Sequence, residues 1–240
     1  MSSGGGYGFD DAERDLLARA EHDLPALTVA RHATQALATV IEGSHVPPEP
    51  DAAPPSYYAR LASLMLSVIG LRTARACMLV VSAGYMPESH GLKRRLSEVH
   101  ARGQAIASDT SGQHARDWLA GKGPSTPPRI VGKFGSADLW DMYSMSAHAD
   151  ARSVHQWLSV PMPQVRGADT GLVVIPHHQE RLSNALLTEV AMECRDLYAA
   201  QAVAREMNRE RIVKWHARLP DLDAEIEPML KRYYAPEPDA

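Results

Sequence analysis

The sequence predicts an all-α fold, an antiparallel helical bundle with a small β-hairpin inserted before a long C-terminal helix. Three observations predict it. Apolar residues recur at helical spacing over most of the 240 residues, prolines and glycines collect between those stretches, and β-branched residues beyond a Gly/Asp turn occur in one short segment. A chain of this length buries a sizeable core without staples. Its two cysteines, Cys77 and Cys194, lie in apolar helical patterns with no Cys/His cluster nearby. They read as packed thiols in a reducing compartment, which excludes a disulfide scaffold and a zinc ribbon. A formal net charge of -4 supplies no global basic field, so bulk electrostatics does not favour non-specific binding to duplex nucleic acid.

Residues 1–9 are Ser/Gly-rich, without a basic n-region or an apolar h-region, and are expected to be a disordered tail of a cytoplasmic protein. A single helical domain is expected over 10–218. Its first helical pattern runs from 10 to 41 through Leu16, Leu24, Leu27, Leu37 and Val40, is kinked or divided by Pro25, and stops at Gly43. Five prolines make 44–55 a linker. The next helix, to about residue 83, is apolar nearly all round through Leu61, Leu64, Met65, Val68, Leu71, Met78 and Leu79, the mark of a central helix. Its 61–81 stretch is long enough to span a bilayer. Arg72 and Arg75 fall in its middle, where each would cost at least about 2.5 kcal/mol against lipid, so no membrane partner is expected.

Gly84 ends that helix, and Pro87 with Glu88 suits the first turn of another. There Leu92, Leu96, Val99 and Ile106 form one face, while His90, Arg94, Ser97 and Glu98 gather on the other. A short helix over 109–120 closes at Gly121, 121–136 reads as a linker, and 137–158 reads as a helix. The hairpin is expected at about 160–176. The last long helix runs from 177 to 218, where Pro220 stops it, and leaves 219–240 as a tail. Unbroken, it would be roughly 60 Å long and would overhang the core, offering Leu186, Val190, Leu197, Ala204 and Met207 as a homodimer surface. A break near Asn208 is the alternative. The pair His177–His178 at its start is expected to be exposed.

Polar residues inside the apolar pattern are the candidate site. Arginines buried at 72 and 75 would need a carboxylate partner, and Glu98 is the candidate, being also four residues beyond Arg94. A cluster of Arg72, Arg75, Arg94 and Glu98 is therefore expected as a buried structural network. In the 140–155 stretch Asp141, Ser144, His148, Arg152 and His155 share one side, with the two histidines about 10 Å apart along the axis, too far to share a metal ion. Neither a phosphate-binding glycine loop nor a pair of Glu-x-x-His motifs for a carboxylate metal bundle occurs, and no cofactor is expected.

Two segments carry a resemblance. Arg94-Arg95-Leu96-Ser97-Glu98-Val99-His100 fits an arginine followed after four to six residues by histidine. Trp140-Asp141-Met142-Tyr143-Ser144 with His148 looks like an aromatic, Ser and His pattern. Together they resemble the HEPN-like helical families of prokaryotic defence and toxin systems. The resemblance implies a metal-independent endoribonuclease in a toxin–antitoxin or phage-defence setting, with RNA and a cognate antitoxin as partners. Arg94, His100 and His148 would be its catalytic residues, with Arg72, Arg75, Glu98 and Ser144 a supporting network. Histidine would assist attack of a ribose 2'-hydroxyl, and arginine would stabilise the charge on the phosphoryl oxygens. On a straight helix Arg94 and His100 point about 120° apart, so they converge only across a kink or a dimer interface. The competing reading is a non-catalytic helical scaffold or regulatory protein that acts through homodimerisation.

Overall fold

The computed structural model describes residues 9–44, 53–122, 166–168, 171–173, 178–204 and 218–234. Among these the architecture is all-α. Seven helices, α1 (Phe9–Asp23), α2 (Pro25–Glu42), α3 (Pro55–Ser82), α4 (Met86–Ala107), α5 (Gln113–Leu119), α6 (Glu180–Ala204) and α7 (Leu219–Tyr234), pack as a bundle. Two three-residue strands, β1 (Arg166–Ala168) and β2 (Gly171–Val173), pair antiparallel with Ala168 opposite Gly171. These six residues do not establish the hairpin insertion expected over about 160–176, the rest of which lies outside the described residues.

Pro25 divides the first helical pattern because it opens α2, where its missing N–H would have had no helical acceptor in any case. No side chain of the preceding residues caps α2. The cap comes instead from the fully buried Asn184 of α6, whose Oδ1 accepts the Ala26 N–H at 3.0 Å. A terminal donor of one helix is thus satisfied by the interior of another. α3 and α4 are antiparallel. Cys77 Sγ meets the Ser89 carbonyl at 3.7 Å near their connection, and Gly70, further from it, lies against Leu96 and Val99. Gly70 also sets the approach of α3 to α6, since a Cβ there would come within 2.5 Å of Leu197 Cδ1. α6 packs against α2, α3, α4 and α7, and its Leu187, Val190 and Tyr198 are wholly buried beside Leu27, Leu37, Leu66 and Leu96.

Several expectations change. Leu186, Val190 and Leu197 face this core, 3%, 0% and 3% exposed, so the dimer surface expected on the last helix is occupied within the chain. α6 is described as far as Ala204, and 205–217, including Met207 and the expected continuation of the helix, lie outside the described residues. The expected tail beyond 218 instead begins with α7. Pro220 is its second residue, a position where proline starts a helix rather than stopping one, and Leu222, Ile226 and Tyr233 bury one face against the bundle. α3 is not enclosed on all sides. Ala62, Leu66, Ala74, Cys77 and Val81 are buried, whereas Met65, Val68 and Leu79 are exposed. Among the described residues α3 is the one helix long and apolar enough to cross a membrane by length and composition, with 44% of its most apolar window buried. Residues 1–8 and 235–240, most of the expected linkers, and the helix expected over 137–158 with Ser144 and His148 lie outside the described residues.

The short helix is narrower than the 109–120 pattern because Asp109 works ahead of it. Its carboxylate accepts the N–H groups of Ser111 at 3.0 Å and His114 at 2.7 Å, together with the Ser111 hydroxyl, and these bonds, the hydroxyl's foremost, hold its pKa down at about 2. Gly112 comes next at φ +67°, and a Cβ on it would lie 2.8 Å from the Pro55 carbonyl oxygen at the start of α3. Gly112→Ala is therefore expected to cost about 2–3 kcal/mol through left-handed strain and a backbone clash, read by urea unfolding; a change under about 0.5 kcal/mol contradicts this packing of α5 on α3.

Candidate functional site

The most highly charged buried position in the described fold is Lys93, 2% exposed in the middle of α4. Helical spacing puts Lys93, Ser97, His100 and Gln104 along one side of α4, and Glu189, Glu193 and Asp196 along one side of α6. The two rows face each other. Lys93 Nζ lies 3.0 Å from Glu189 Oε2 and 2.8 Å from Glu193 Oε1, and donates to Ser97 Oγ at 2.8 Å. The Ser97 hydroxyl donates onward to Glu193 Oε1 at 2.6 Å. One turn on, His100 Nε2 lies 3.4 Å from Asp196 Oδ2 and 3.3 Å from the Gln104 amide. From α7 the Tyr234 hydroxyl donates to the other oxygen of Glu189.

Desolvation alone would pull the Lys93 ammonium down. The Glu193 and Glu189 carboxylates outweigh it and hold the group above its ordinary value, so the lysine is charged throughout the physiological range. One positive charge against two negative ones leaves the seam with an excess carboxylate. Glu193 Oε2 is buried with no hydrogen-bond partner. Beside the seam, burial pushes the Cys77 thiol up to about 12 and the Cys194 thiol further in the same direction. Both cysteines are wholly buried, so neither offers a thiolate nucleophile at neutral pH.

The structure separates most of the residues singled out from the sequence. Arg72 and Arg75 are exposed, and Glu98 bonds Arg102 at 2.9 and 3.2 Å, so the buried cluster with Arg94 does not form. The reason is the orientation of α3. Its interior side is built from Ala62, Leu66, Thr73, Ala74 and Cys77, which leaves positions 72 and 75 on the outer side. Arg94 is half-buried and Arg95 exposed on an uninterrupted α4, so neither is brought round to His100. His178 is the reverse case. Expected at the surface, its side chain is 5% exposed, with Nε2 donating to the Ser82 carbonyl at 2.8 Å and Nδ1 3.2 Å from Asp23 Oδ2. Lys93, Glu189 and Glu193 were not singled out at all. The available signal was Glu189 and Glu193 four apart on a helix whose neighbouring positions, Leu186, Val190 and Leu197, are apolar.

A cleft of about 270 Å³ lies between α6 and α7, with Met192, Ile226 and Leu230 as its apolar lining and Arg195, Asp196, Asp223 and Glu227 as its polar lining. Arg195 grips Asp223 through two bonds of 2.7 and 2.9 Å and reaches Asp196 at 3.1 Å. Neither Arg94 nor His100 lines this cleft. Among the described residues no group of three His, Cys, Asp or Glu side chains is placed to hold a metal ion. No family model, curated protein or solved structure matches the chain.

Lys93→Met is expected to cost about 3–5 kcal/mol in urea unfolding, because it strands two carboxylates that are each 12% exposed; combining it with Glu189→Gln and Glu193→Gln should recover at least half of that loss. A Lys93→Met cost below about 1 kcal/mol contradicts the seam. His90 supplies a pH dependence. Burial pushes its imidazole down to about 4 against a smaller opposing pull from Glu189, whereas the unfolded ring titrates near 6.5. Stability held by the neutral ring is therefore full above pH 6.5 and is lost as pH falls toward 4. His90→Gln should flatten that acid limb by up to about 3 kcal/mol, and an unchanged slope contradicts a buried neutral imidazole.

Proposed function

We propose that this chain is a non-catalytic helical scaffold or regulatory protein that works by holding a partner. One observation carries the reading: among the described residues, the arginine and histidine that a ribonuclease of the HEPN-like kind would need on α4 are engaged in structural contacts or held apart. His100 is paired with Asp196 across the α4–α6 seam, Glu98 with Arg102 along α4, and Arg94 lies about 120° around the same straight helix from His100. The strongest charge cluster points the same way. Lys93 and its two glutamates sit where substrate cannot reach, and their charges meet one another.

The ribonuclease reading requires a second chain to bring an arginine to His100. It makes a distinct prediction about RNA, and that separates the two readings. Expression of wild type and His100→Ala, with growth and total RNA integrity as readouts, should leave RNA intact in both, and the purified protein should not cleave RNA without metal. Cleavage by wild type that His100→Ala abolishes while remaining folded would overturn the proposal.

A further inference from the structure

Four helix ends converge near His178. Asp23 is the last residue of α1, Pro25 the first of α2, Ser82 the last of α3, and His178 stands two residues before α6 opens at Glu180. The His178 side chain is buried, with Nε2 2.8 Å from the Ser82 carbonyl oxygen and Nδ1 3.2 Å from Asp23 Oδ2. Both neighbours are acceptors. A neutral imidazole carries one N–H and satisfies one of them, whereas a ring with a proton on each nitrogen donates to both. Among the described residues no other hydrogen bond or ion pair reaches the ring. Asp23 does not supply the second proton. The His22 ring, against the opposing pull of burial and with the help of His178 and Arg19, holds its carboxyl below the usual carboxylate value, so it is ionised at neutral pH. The C-terminal ends of α1 and α3 favour a cation between them, and the N-terminal end of α6 opposes it.

We propose that His178 is a proton-operated latch between the start of α6 and the end of α1. With both nitrogens protonated, the ring ties α6 to Asp23 and Ser82 at once. When one proton leaves, it leaves from Nδ1. The Ser82 carbonyl belongs to the last turn of α3, where acceptors have no donor ahead of them in the helix, so it keeps the Nε2 proton. Asp23 still has His22 Nδ1 at 3.0 Å and Arg19 at 3.4 Å. A bare Nδ1 lone pair then faces a carboxylate oxygen, and attraction becomes repulsion. The junction passes the change on. Asn184, in the second turn of α6, donates to the Asp23 carbonyl at 3.4 Å and accepts the Ala26 N–H at 3.0 Å, so the end of α1 and the start of α2 depend on the same stretch of α6. Among the described side chains of α1, Ala12, Leu16 and Ala20 are the buried ones, a narrow apolar stripe to hold the helix in place once the polar tie is gone. The latch is closed at the acid end of the histidine range and opens as pH rises through it.

The test follows the ring and the junction together in the full-length protein between about pH 5 and about pH 8, where histidine is the side chain that ordinarily changes charge. NMR of the ¹⁵N-labelled histidine rings, with His178 assigned by its loss in His178→Gln, counts the protons on each nitrogen. Amide hydrogen exchange, corrected for its intrinsic pH dependence, gives the protection of the Ala26 N–H. The ring should be doubly protonated at the acid end, and loss of its Nδ1 proton should coincide with a fall of about threefold in Ala26 protection. His90 stays outside this window, since burial pushes it down to about 4. Asp23→Asn gives a neutral ring an amide from which Nδ1 can accept, so Ala26 protection should stay level across the range in that variant. His22→Gln changes the exposed ring on the other side of Asp23 and should leave the transition in place. Ala26 protection that does not follow the His178 proton overturns the proposal, as does a neutral ring that keeps its proton on Nδ1. So does a transition that persists in Asp23→Asn or vanishes in His22→Gln. Should Asp23→Asn fail to fold, the wild-type ring and amide signals decide alone by the first two of these results.

Discussion

Lys93 is removed from water between two carboxylates of a different helix, and this fixes how α4 and α6 can lie against each other. A leucine interface tolerates a slip of a turn at modest cost, because one apolar contact replaces another. A buried ammonium does not. Moving α4 by one turn would carry Nζ away from Glu189 and Glu193, which it meets at 3.0 and 2.8 Å, and would leave three charges without compensation. Ser97 and Tyr234 add donors to the same carboxylates, so the register of three helices is tied to one group of atoms. The seam is best understood as specifying one packing among several apolar ones, with the net stability coming from the core of leucines and valines around it.

That register decides where the remaining chemistry goes. With α6 locked to α4 on one side and to α2 through the Asn184 cap on another, its Leu186, Leu187, Val190 and Leu197 are used inside the chain, while Leu182 and Met192 stay exposed. α7 then covers the outer side of α6 and leaves the α6–α7 cleft, where Asp196 and Asp223 are paired through Arg195 and Glu227 with Lys231. Among the described residues, the side of α3 away from the core, with Met65, Val68 and Leu79, stays exposed. Among the described residues, the buried or half-buried histidines and cysteines, the groups most often recruited to catalysis, are either neutralised by burial, as His90, Cys77 and Cys194 are, or fastened to a carboxylate, as His100 and His178 are.

Helix positions were legible where local chemistry marks them. Pro25, Gly43, Gly84 and Pro87 punctuate the chain in ways that depend only on their own backbone, and α2, α3 and α4 start and stop beside them. Facing was not legible. Arg72 and Arg75 look buried when most neighbours in the sequence are apolar, but an apolar helix has an outward side that composition alone does not reveal. Pro220 reads as a stop or a start according to the residues beyond it, and the apolar spacing Leu222, Ile226, Met229, Tyr233 decides for a start. The Lys93 seam joins residues about a hundred positions apart, and no local spacing predicts which lysine will meet which pair of glutamates.

The charge state of Lys93 tests this account most directly. In ¹⁵N-resolved NMR of the lysine side chains, titrated from neutral to alkaline pH, the Lys93 signal should stay that of an ammonium beyond the ordinary lysine value of 10.5, with the slow proton exchange of a buried group. A Lys93 signal that titrates to the neutral amine well below that value, or exchanges as fast as the surface lysines, would contradict the sealed ion cluster on which the helix register depends.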